Sequence, residues 1–557
     1  MAASSSPDSF DYIIVGGGTA GLVLASRLTE DPKVQVLVLE AGEDLGADPR
    51  VNVPAMWVEL AGSSADWCFK TTPQHGLGGH QMGIAQGRLL GGSSALNSMN
   101  FVVSAKSNIG QWAELGNTGW DWATLSASLQ KVYTLHGQSG TSVDESASRS
   151  VQVPVPDEDS KWPQVWRETI AELGFPAHNH PLSGTISGAT RSYACTAYLN
   201  PATSRPNLTV WTSVLVEKIL FNPSTEDGGD PIAAGVQYAR TKDDEVASVQ
   251  KVVGDAARLE SVCIPVVVDN PFVGENLQNH PVVPLSFETI TGEGLQTIDG
   301  LNRQDPAALG AAMEAYGRQT GLLSKSNGNV MAHMPFPNIA TEAGKRELEM
   351  ILSSAFPTSD TGATKTAPTY DEKLKSYVRS VLKFADESSA FYITVPGWAS
   401  YTPDGSWEPI PPGNETYFSI PVLLAHPSTD DDDQPSDLGL EINPNYLAHP
   451  LDVEILARHV QFVESVMAAT ATPLAKSLNQ SEGAKRSSAL PPGPRAFAGD
   501  EGLDLARKYV RESAVVYGCR NLRVCDASVI PLATRANTMA TVYAIAERAA
   551  EIIKSGI

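Results

Sequence analysis

Three glycines and one glutamate near the N-terminus have the spacing of a dinucleotide-binding turn. Gly16, Gly18 and Gly21 form the pattern G-x-G-x-x-G, and Glu40 follows 19 residues after the last of them. Gly16 permits a tight turn, Gly18 lets the backbone approach a pyrophosphate, and Gly21 lets a helix pack closely on a strand. The Glu40 carboxylate can accept hydrogen bonds from both hydroxyls of a ribose, and it disfavours a 2′-phosphate. The pattern therefore predicts an adenosine-diphosphate site that does not suit NADP, and it leaves NAD and FAD both open.

The elements that must position these residues fit a βαβ unit. Residues 12–15 are an apolar, β-branched run, as in a buried parallel strand, and residues 22–28 have the composition of a helix. A second predicted strand over residues 34–39 ends at Glu40. The helix N-terminus presents free N–H groups and a partial positive charge to the phosphates. We therefore expect residues 13–42 to form most of the adenosine-diphosphate half of a cofactor site.

Composition and charge exclude several classes of protein. The chain has 557 residues, 42% of them hydrophobic and 18% charged, which predicts an ordered protein of two domains or one composite fold. A net charge of −23 disfavours nucleic acid and anionic membranes as partners. The five cysteines form no C-x-x-C pair, which argues against a disulfide framework and a structural zinc site. The polar N-terminal segment lacks the pattern of a secretion signal, so we expect a soluble, cytoplasmic protein.

Two further patterns were weighed as metal sites. His178 and His180 are separated by one residue, and residues 430–433 are a run of four aspartates. The histidine pair has no third ligand nearby, and an acidic run of this kind is typical of a solvated loop. We predict no metal site.

A second glycine-rich segment and the C-terminal region carry a family resemblance. Residues 87–97 form a glycine-serine loop that ends at Asn97, and residues 521–531 contain Asp526-Ala527-Ser528 followed by a helical pattern at 541–553. Together with the opening turn, these segments resemble the glucose-methanol-choline (GMC) oxidoreductases, which are FAD enzymes. Further matches, at 264–277 and 442–447, follow in the order of the family.

The resemblance implies a fold of two parts. It implies an α/β, Rossmann-like FAD-binding domain assembled from residues 8–104, 200–290 and 505–557. It also implies an α+β substrate-binding domain, built on an antiparallel sheet, from residues 105–199 and 291–504.

The same resemblance implies the cofactor contacts, residue by residue. Gly16, Gly18, Thr19, Ala20, Gly21 and Gly92 would lie at the pyrophosphate, with Glu40 and Ala41 at the adenosine ribose and Val216 at the adenine. Asn97, Ser98, Met99 and Asn100 would run along the flavin, Asp526 and Ala527 would reach the pyrophosphate and ribityl chain, and Thr538 and Met539 would lie near the pyrimidine edge of the isoalloxazine.

The chemistry implied by the resemblance needs a proton acceptor and a polar group that steadies the substrate oxygen. Asn537 matches the second position and is the one catalytic residue that we assign. The family's catalytic histidine is absent, because no histidine follows His459, and Ser513 runs directly into Ala514. The family's second signature is also absent, since Val253 is followed directly by Gly254.

Three explanations of these absences stay open. Coding segments were dropped at splice boundaries, and the full protein is an ordinary oxidoreductase. Alternatively, this chain uses another base, such as Glu512 or a histidine of the substrate domain. The third explanation is a non-redox role, either cyclase-like or as an inactive binding protein, for which the family has a precedent.

The function that the resemblance implies is FAD-dependent oxidation of a CH–OH group of a small organic substrate, by hydride transfer to flavin N5. We expect a role in secondary-metabolite biosynthesis, with a small alcohol-type substrate and with neither nucleic acid nor membrane as a partner. The sequence identifies neither the substrate, nor the electron acceptor, nor the oligomeric state.

Overall fold

A computed structural model describes most of the chain. The described residues are 9–136, 151–154, 160–176, 183–222, 232–240, 253–254, 256–261, 266, 268–270, 276–290, 292, 294–326, 330–356, 369–402, 407–428, 442–469, 471–487, 497, 503–504, 506–507 and 525–555.

The strands and helices are numbered in chain order. The strands are β1 (Tyr12–Val15), β2 (Val36–Leu39), β3 (Phe69–Lys70), β4 (Gly83–Ile84), β5 (Asn100–Phe101), β6 (Tyr133–His136), β7 (Val151–Pro154), β8 (Ser183–Gly184), β9 (Ile186–Ser187), β10 (Thr190–Arg191), β11 (Leu208–Trp211), β12 (Val214–Asn222), β13 (Ile232–Arg240), β14 (Val253–Gly254), β15 (Val268–Asp269), β16 (Val282–Glu288), β17 (Met331–Met334), β18 (Ala390–Ile393) and β19 (Tyr417–Leu424). The helices are α1 (Thr19–Leu28), α2 (Pro49–Asn52), α3 (Ser93–Leu96), α4 (Lys106–Glu114), α5 (Trp122–Leu129), α6 (Trp162–Glu172), α7 (Ala256–Ser261), α8 (Asp299–Asn302), α9 (Pro306–Gly317), α10 (Glu342–Ala355), α11 (Tyr370–Leu382), α12 (Pro450–Phe462), α13 (Pro473–Ser477) and α14 (Met539–Ser555). Short 3-10 or π turns lie at Pro54–Glu59, His75–Leu77, Cys195–Leu199, Asn200–Ala202, Leu322–Ser324, Val463–Met467 and Ala527–Val529.

The predicted βαβ unit is present as a parallel sheet with the strand order β1-β2-β11. Tyr12 and Leu208 both align with Val36, one from each side of the central strand. All four residues of β2 are buried, as expected for a central strand. Helix α1 packs against β1, β2 and α14, so the N-terminal and C-terminal ends of the chain share one layer. This confirms the Rossmann-like part of the predicted fold.

The expectation that residues 12–15 form a buried strand was half wrong. They form β1, but Tyr12 and Ile13 are each 36% exposed and Val15 is 55% exposed. The physical reason is position, because β1 is the edge of the sheet among the described residues. An edge strand of apolar, β-branched residues lacks the second neighbour that such a run is suited to.

The antiparallel sheet of the predicted substrate part is also present. Its strand order is β16-β19-β18-β17, and every neighbouring pair is antiparallel, with Val282 opposite Leu423 and Met331 opposite Ile393. Helix α12 packs on three of these strands. The fold class is therefore confirmed as mixed α/β with an antiparallel sheet. Residues 282–288 belong to this sheet, although the predicted FAD-binding stretch ran to residue 290, and the full domain division stays a prediction.

A buried ion pair fastens α14 to α1. The guanidinium of Arg27 binds both carboxylate oxygens of Glu547, at 2.7 Å from Nη2 to Oε1 and 2.8 Å from Nε to Oε2. The hydroxyl of Tyr198 donates a third hydrogen bond to the same carboxylate, at 3.0 Å. Because a two-pronged pair of this kind fixes orientation as well as distance, it holds the middle of α14 against the last turn of α1. No described helix is both long and apolar enough to cross a bilayer.

Candidate functional site

The first glycine loop has the geometry that its sequence predicts. Gly16 has a φ of +95°, which a residue with a side chain rarely adopts, and its N–H donates to the Leu39 carbonyl at 2.7 Å. A Cβ on Gly21 would lie 2.1 Å from the Gly16 oxygen. The glycine at position 21 is therefore what allows α1 to start directly against the turn.

The start of α1 offers unoccupied backbone donors. Gly18 is the N-cap residue, and among the described residues no side chain caps this end of the helix, which begins with Thr19 and Ala20. Apart from Gly16 and its two chain neighbours, no described heavy atom lies within 4 Å of the place where a Cβ of Gly16 would be. Free amides at a helix N-terminus, facing open space across a glycine, fit the diphosphate of a dinucleotide.

Glu40 links the glycine loop to the end of β2. Its Oε2 accepts the Gly17 N–H and its Oε1 accepts the Gly42 N–H, each at 2.8 Å. The side chain is 5% exposed, and this burial raises the pKa of Glu40, against the opposing effect of the two amides. Each carboxylate oxygen keeps a lone pair, so Glu40 can hold the loop and still accept hydrogen bonds from a ribose.

The second glycine loop lies directly on the first. The Gly91 N–H donates to the Gly17 carbonyl at 2.8 Å, and a Cβ on Gly92 would lie 2.7 Å from the Gly18 Cα. Gly91 and Gly92 both have positive φ values, +95° and +52°. The two loops therefore touch backbone to backbone, although the contacting residues Gly17 and Gly91 are 74 residues apart in sequence.

Val216 and Ala41 lie on the predicted adenosine side. Val216 is half-buried in β12 and packs with Leu37 and Leu39 of β2. The Val214 N–H donates to the Glu40 carbonyl at 2.9 Å, which ties the start of β12 to the end of β2 beside Ala41. The structure thus brings these positions together around the end of β2.

The segment from Asn97 to Asn100 joins the glycine loops to the C-terminal helix. The Asn97 Oδ1 accepts the Met99 N–H at 3.0 Å, and Met99 has a φ of +62° while being fully buried. The Asn97 Nδ2 lies 3.1 Å from the Met539 Sδ. Ser98 accepts a hydrogen bond from the Asn100 side chain at 3.1 Å. Strain at a buried residue of this kind is characteristic of binding sites.

The C-terminal candidates occupy two places. Asp526 is exposed and accepts the Ser528 N–H at 2.8 Å, capping the short turn that begins at Ala527. Within the part of the chain that the structure describes, no hydrogen bond joins Asp526 or Ala527 to the glycine turn. Thr538 precedes Met539 at the start of α14, and its carbonyl accepts the Val542 N–H at 2.9 Å.

Asn537 presents an unpaired polar atom at the N-terminus of α14. Its Oδ1 is buried and has no hydrogen-bond partner among the described residues. The preceding residue, Ala536, packs with Val102 and with Met331 of β17. A buried carbonyl oxygen without a donor costs about 1–3 kcal/mol, so a bound hydroxyl would find its partner here.

A group of histidines lies on the sheet near Ala536, the neighbour of Asn537. The sequence left a histidine of the substrate domain open as the base but did not identify which one. His333 of β17 is two residues from Met331 and therefore on the same face of the strand, and its ring stacks on Phe391, with centroids 5.7 Å apart. His280 contacts the same phenyl ring edge-on at 5.1 Å. The His280 Nδ1 lies 2.6 Å from the Leu424 carbonyl, which agrees with a structural role for this residue.

Arg535 lies close to this histidine group. Its guanidinium pairs with Glu387 and donates to the Tyr377 hydroxyl at 3.1 Å, while its Nε has no partner among the described atoms. His426 is 3% exposed, lies edge-on to Tyr377 at 5.5 Å, and has neither ring nitrogen bonded within the described structure. Burial, together with the Arg535 charge, lowers the pKa of His426.

His333 differs from its neighbours because its imidazole is accessible. The ring is exposed but enclosed on most sides by protein, and this desolvation, with the charges of Arg535 and His280, lowers the pKa of His333 to about 4. The imidazole is therefore neutral at pH 7. Residues 280, 333, 426 and 535 are far apart in sequence and no local motif contains them. The pairing of the antiparallel sheet brings the three histidines together, and Arg535 comes from the segment before α14.

Some sequence hypotheses fall outside the described residues. Glu512, His178, His180 and residues 430–433 lie there, as does the junction of residues 513 and 514. Val253 and Gly254 form β14, paired in parallel with β15. Within the described ranges, no group of three or more His, Cys, Asp or Glu is arranged to hold a metal ion.

Comparison with known proteins finds family matches in the N-terminal and C-terminal parts of the chain. Two family models, each described as GMC oxidoreductase, match residues 10–282 and 422–546. The dehydrogenase mpl7 of Monascus purpureus and the dehydrogenase citC of Monascus ruber are each 31% identical to this chain over 631 aligned positions, covering 98% of this chain and 96% of the relative. An FAD-dependent oxidoreductase from Chaetomium thermophilum has a similar structure, with a TM-score of 0.74 at 22% identity, over 98% of this chain and 99% of the other.

The length of the alignment bears on the missing motifs. An alignment of 631 positions exceeds the 557 residues of this chain, so these relatives contain residues for which it has no counterpart. The absence of whole segments, rather than substitution within them, is therefore supported.

Proposed function

Because this chain belongs to the GMC oxidoreductase family, we propose that it is an FAD-dependent oxidoreductase that oxidises a CH–OH group of a small organic molecule. The observation that carries the proposal is the contact of Asn97 with Met539, which joins the glycine loops to the N-terminus of α14 beside the unpaired oxygen of Asn537. Relatives along nearly the whole chain are fungal dehydrogenases, which supports this reaction class.

The residues present fit FAD. The free amides at the start of α1 would hold the pyrophosphate, with Gly16, Gly18, Thr19, Ala20, Gly21 and Gly92 around it. Glu40, Ala41 and Val216 would hold the adenosine. The flavin would lie along Asn97, Ser98, Met99 and Asn100, with Thr538 and Met539 at its pyrimidine edge and Asp526 and Ala527 on the side of the ribityl chain.

FAD, when bound, supplies the two-electron acceptor for the hydrogen that leaves the substrate carbon with its electron pair. The chain itself must orient the alcohol and take up the hydroxyl proton. Asn537 Oδ1 is free to accept a hydrogen bond from the hydroxyl. We assign the proton to a ring nitrogen of His333, because this imidazole is neutral, accessible and on the sheet face against which Ala536 packs.

We propose that the reaction takes place inside the cell, in the biosynthesis of a secondary metabolite. Recovery of the native protein from the culture medium would contradict that location.

The test is anaerobic reduction of the bound flavin. Protein reconstituted with FAD should show flavin absorbance, and that absorbance should bleach when a small primary or secondary alcohol from a substrate panel is added without oxygen. Absence of flavin absorbance after reconstitution would count decisively against the proposal.

A second candidate function is non-redox, as a cyclase-like catalyst or a binding protein. One observation favours it: the family's catalytic histidine is missing, and the alignment with relatives supports loss of whole segments. Bleaching of the flavin by any alcohol would exclude this candidate. Sequencing of the transcript across codons 253–254 and 513–514 separates both functions from the omission of coding segments, because inserted exons would restore the two motifs.

A further inference from the structure

Arg191, at the end of β10, is a buried cation without an acidic partner. It is 1% exposed, and no described carboxylate lies in hydrogen-bonding contact with its guanidinium. This burial lowers the pKa of Arg191 to about 9, so the group is still charged at pH 7. Burial of an unpaired charge is unfavourable, so a buried arginine of this kind is expected to have a function that needs its charge or its hydrogen bonds.

The guanidinium is bonded to uncharged oxygens. Its Nε donates to the Val51 carbonyl at 2.8 Å, and its Nη1 donates to the Ser94 carbonyl at 3.2 Å and to the Asn97 carbonyl at 2.8 Å. The same Nη1 lies 3.1 Å from the Asn97 Oδ1. Nη2 is buried and has no partner among the described residues.

These contacts fix one segment of the predicted flavin site. Ser94 and Asn97 are the carbonyl-bearing end of α3, so Arg191 supplies donors to a helix terminus that would otherwise lack them. Asn97 Oδ1 also accepts the Met99 N–H, which holds the strained backbone of Met99, at a φ of +62°. Through Asn97, Arg191 therefore sets the conformation of residues 97–100.

Hydrogen bonding to carbonyls does not require a charge. An uncharged donor could bond Val51, Ser94 and Asn97 without the desolvation cost of a guanidinium. Tyr193 and Tyr543 both interact electrostatically with Arg191, and burial raises the pKa of both, so neither is an anion at pH 7. The positive charge is thus left uncompensated by the described protein, next to the segment on which the flavin would lie.

We propose that Arg191 is a positioning residue of the flavin site: it holds Asn97 to Asn100 in place, and its unpaired charge favours the reduced, more negative form of the cofactor. This inference rests on the proposed binding of FAD. It assigns to Arg191 an effect on two quantities, the FAD dissociation constant and the reduction potential of the bound flavin.

The experiment compares Arg191→Met and Arg191→Lys with the wild-type chain, and uses Arg318→Met, a change at an exposed arginine, as the matched control. The FAD dissociation constant is measured by fluorescence titration and the potential by equilibration with a reference dye. For Arg191→Met, we expect the FAD dissociation constant to rise about tenfold and the reduced form to lose about tenfold in relative stability, which is about 30 mV for a two-electron couple. For Arg191→Lys, we expect a larger FAD dissociation constant, because the planar guanidinium is lost. We expect a reduction potential close to that of the wild type, because the positive charge stays. Arg318→Met should change neither.

Each result decides the matter. Wild-type affinity and potential in a folded Arg191→Met protein would overturn the inference. If Arg191→Met does not fold, wild-type FAD affinity in Arg191→Lys would overturn it, because positioning depends on the fork. Failure of the wild-type chain to bind FAD would instead overturn the proposed function, so the two failures are distinguishable.

Discussion

The two halves of the site are built in opposite ways. In the nucleotide cradle, formed by residues 12–42 with Gly91 and Gly92, the polar side chain is satisfied within the protein: both oxygens of Glu40 are bonded to backbone amides. In the proposed substrate-facing group, formed by His280, His333, His426, Arg535 and Asn537, buried polar atoms of four residues have no described partner. The carboxylate of the cradle is therefore satisfied in the folded chain and its free donors are the backbone amides at the start of α1, whereas the proposed substrate-facing group has unpaired side-chain atoms that a ligand or ordered water can satisfy.

The difference has a physical origin. The cradle depends on close approach of backbone to backbone, which glycine alone permits, so that its geometry is fixed on folding. In the substrate-facing group, each unpaired buried atom destabilises the fold by about 1–3 kcal/mol, and a hydrogen bond from a substrate or an ordered water can offset this. Changes in the cradle should therefore act on cofactor binding, and changes in the substrate-facing group should act on turnover.

The largest effect is expected at Gly21. A Cβ there would lie 2.1 Å from the Gly16 oxygen, so Gly21→Val should displace α1 from the turn, and the purified protein should contain less than about a tenth of the wild-type FAD. FAD content by absorbance and Tm by calorimetry measure this. The matched control is Gly110→Ala, in α4, where no atom lies within 4 Å of the added Cβ; an equal loss of FAD there would contradict the reason given for Gly21.

The next largest effect is expected at His333, on turnover alone. His333→Gln removes the assigned proton acceptor and should lower kcat on the order of 100-fold with FAD content unchanged. In the wild type, kcat/KM should stay level near pH 7 and fall as the pH approaches 4, because protonation of His333, which faces Arg535 and His280, removes its lone pair. His80→Gln, at an exposed histidine, is the control. Wild-type kcat in His333→Gln would assign the proton to another group.

Asn537→Ala should also lower kcat, by about 10- to 100-fold, without loss of FAD. The change removes the hydrogen-bonding group at the start of α14 that is free to meet the substrate oxygen. Steady-state kinetics and flavin content distinguish this from a structural defect, with Asn302→Ala, at an exposed asparagine, as the control. Loss of FAD with intact turnover per bound flavin would place Asn537 in the cradle instead.

Glu40→Gln should weaken FAD binding by about tenfold, or roughly 1.4 kcal/mol, and leave kcat at saturating FAD unchanged. Gln offers one acceptor oxygen where Glu40 offers two, so one of the bonds from Gly17 and Gly42 is lost along with one ribose acceptor. Fluorescence titration measures this against Glu314→Gln, which is an exposed residue. A change in kcat with unchanged affinity would place Glu40 outside the cradle.

The smallest effect concerns stability and lies outside both halves. His459 is fully buried, bonds Ser389 and Tyr392 through its two ring nitrogens, and burial lowers the pKa of His459 to about 3. The unfolded chain takes up this proton near pH 6.5, so stability is full above that pH and is lost as the pH falls towards 3. Between pH 7 and 5, Tm should fall by on the order of a few degrees. The fall should be smaller in His459→Gln; an equal fall in both proteins would contradict the assignment.

Sequence alone predicted the βαβ unit of the cradle well, because its determinants are local. The spacing of Gly16, Gly18, Gly21 and Glu40 is a property of one βαβ unit, and the structure places it as expected. The burial of β1 was wrong, because burial depends on a neighbouring strand that residues 12–15 do not encode. The sequence left a histidine of the substrate domain open as the base but could not single out His333, because its surroundings depend on the pairing of β17 with β18. Arg191 was not predicted, since its role comes from contact with Asn97, 94 residues away.

The most direct test of the central claim, that the adenosine-diphosphate half is complete in the folded chain, is a competition titration. The purified protein is titrated with FAD, ADP is then added as a competitor, and FMN, which lacks the adenosine half, is titrated separately. The cradle described above predicts one FAD per chain, displacement of FAD by ADP, and much weaker binding of FMN. Binding of FMN as tight as that of FAD, or insensitivity of bound FAD to ADP, would contradict it.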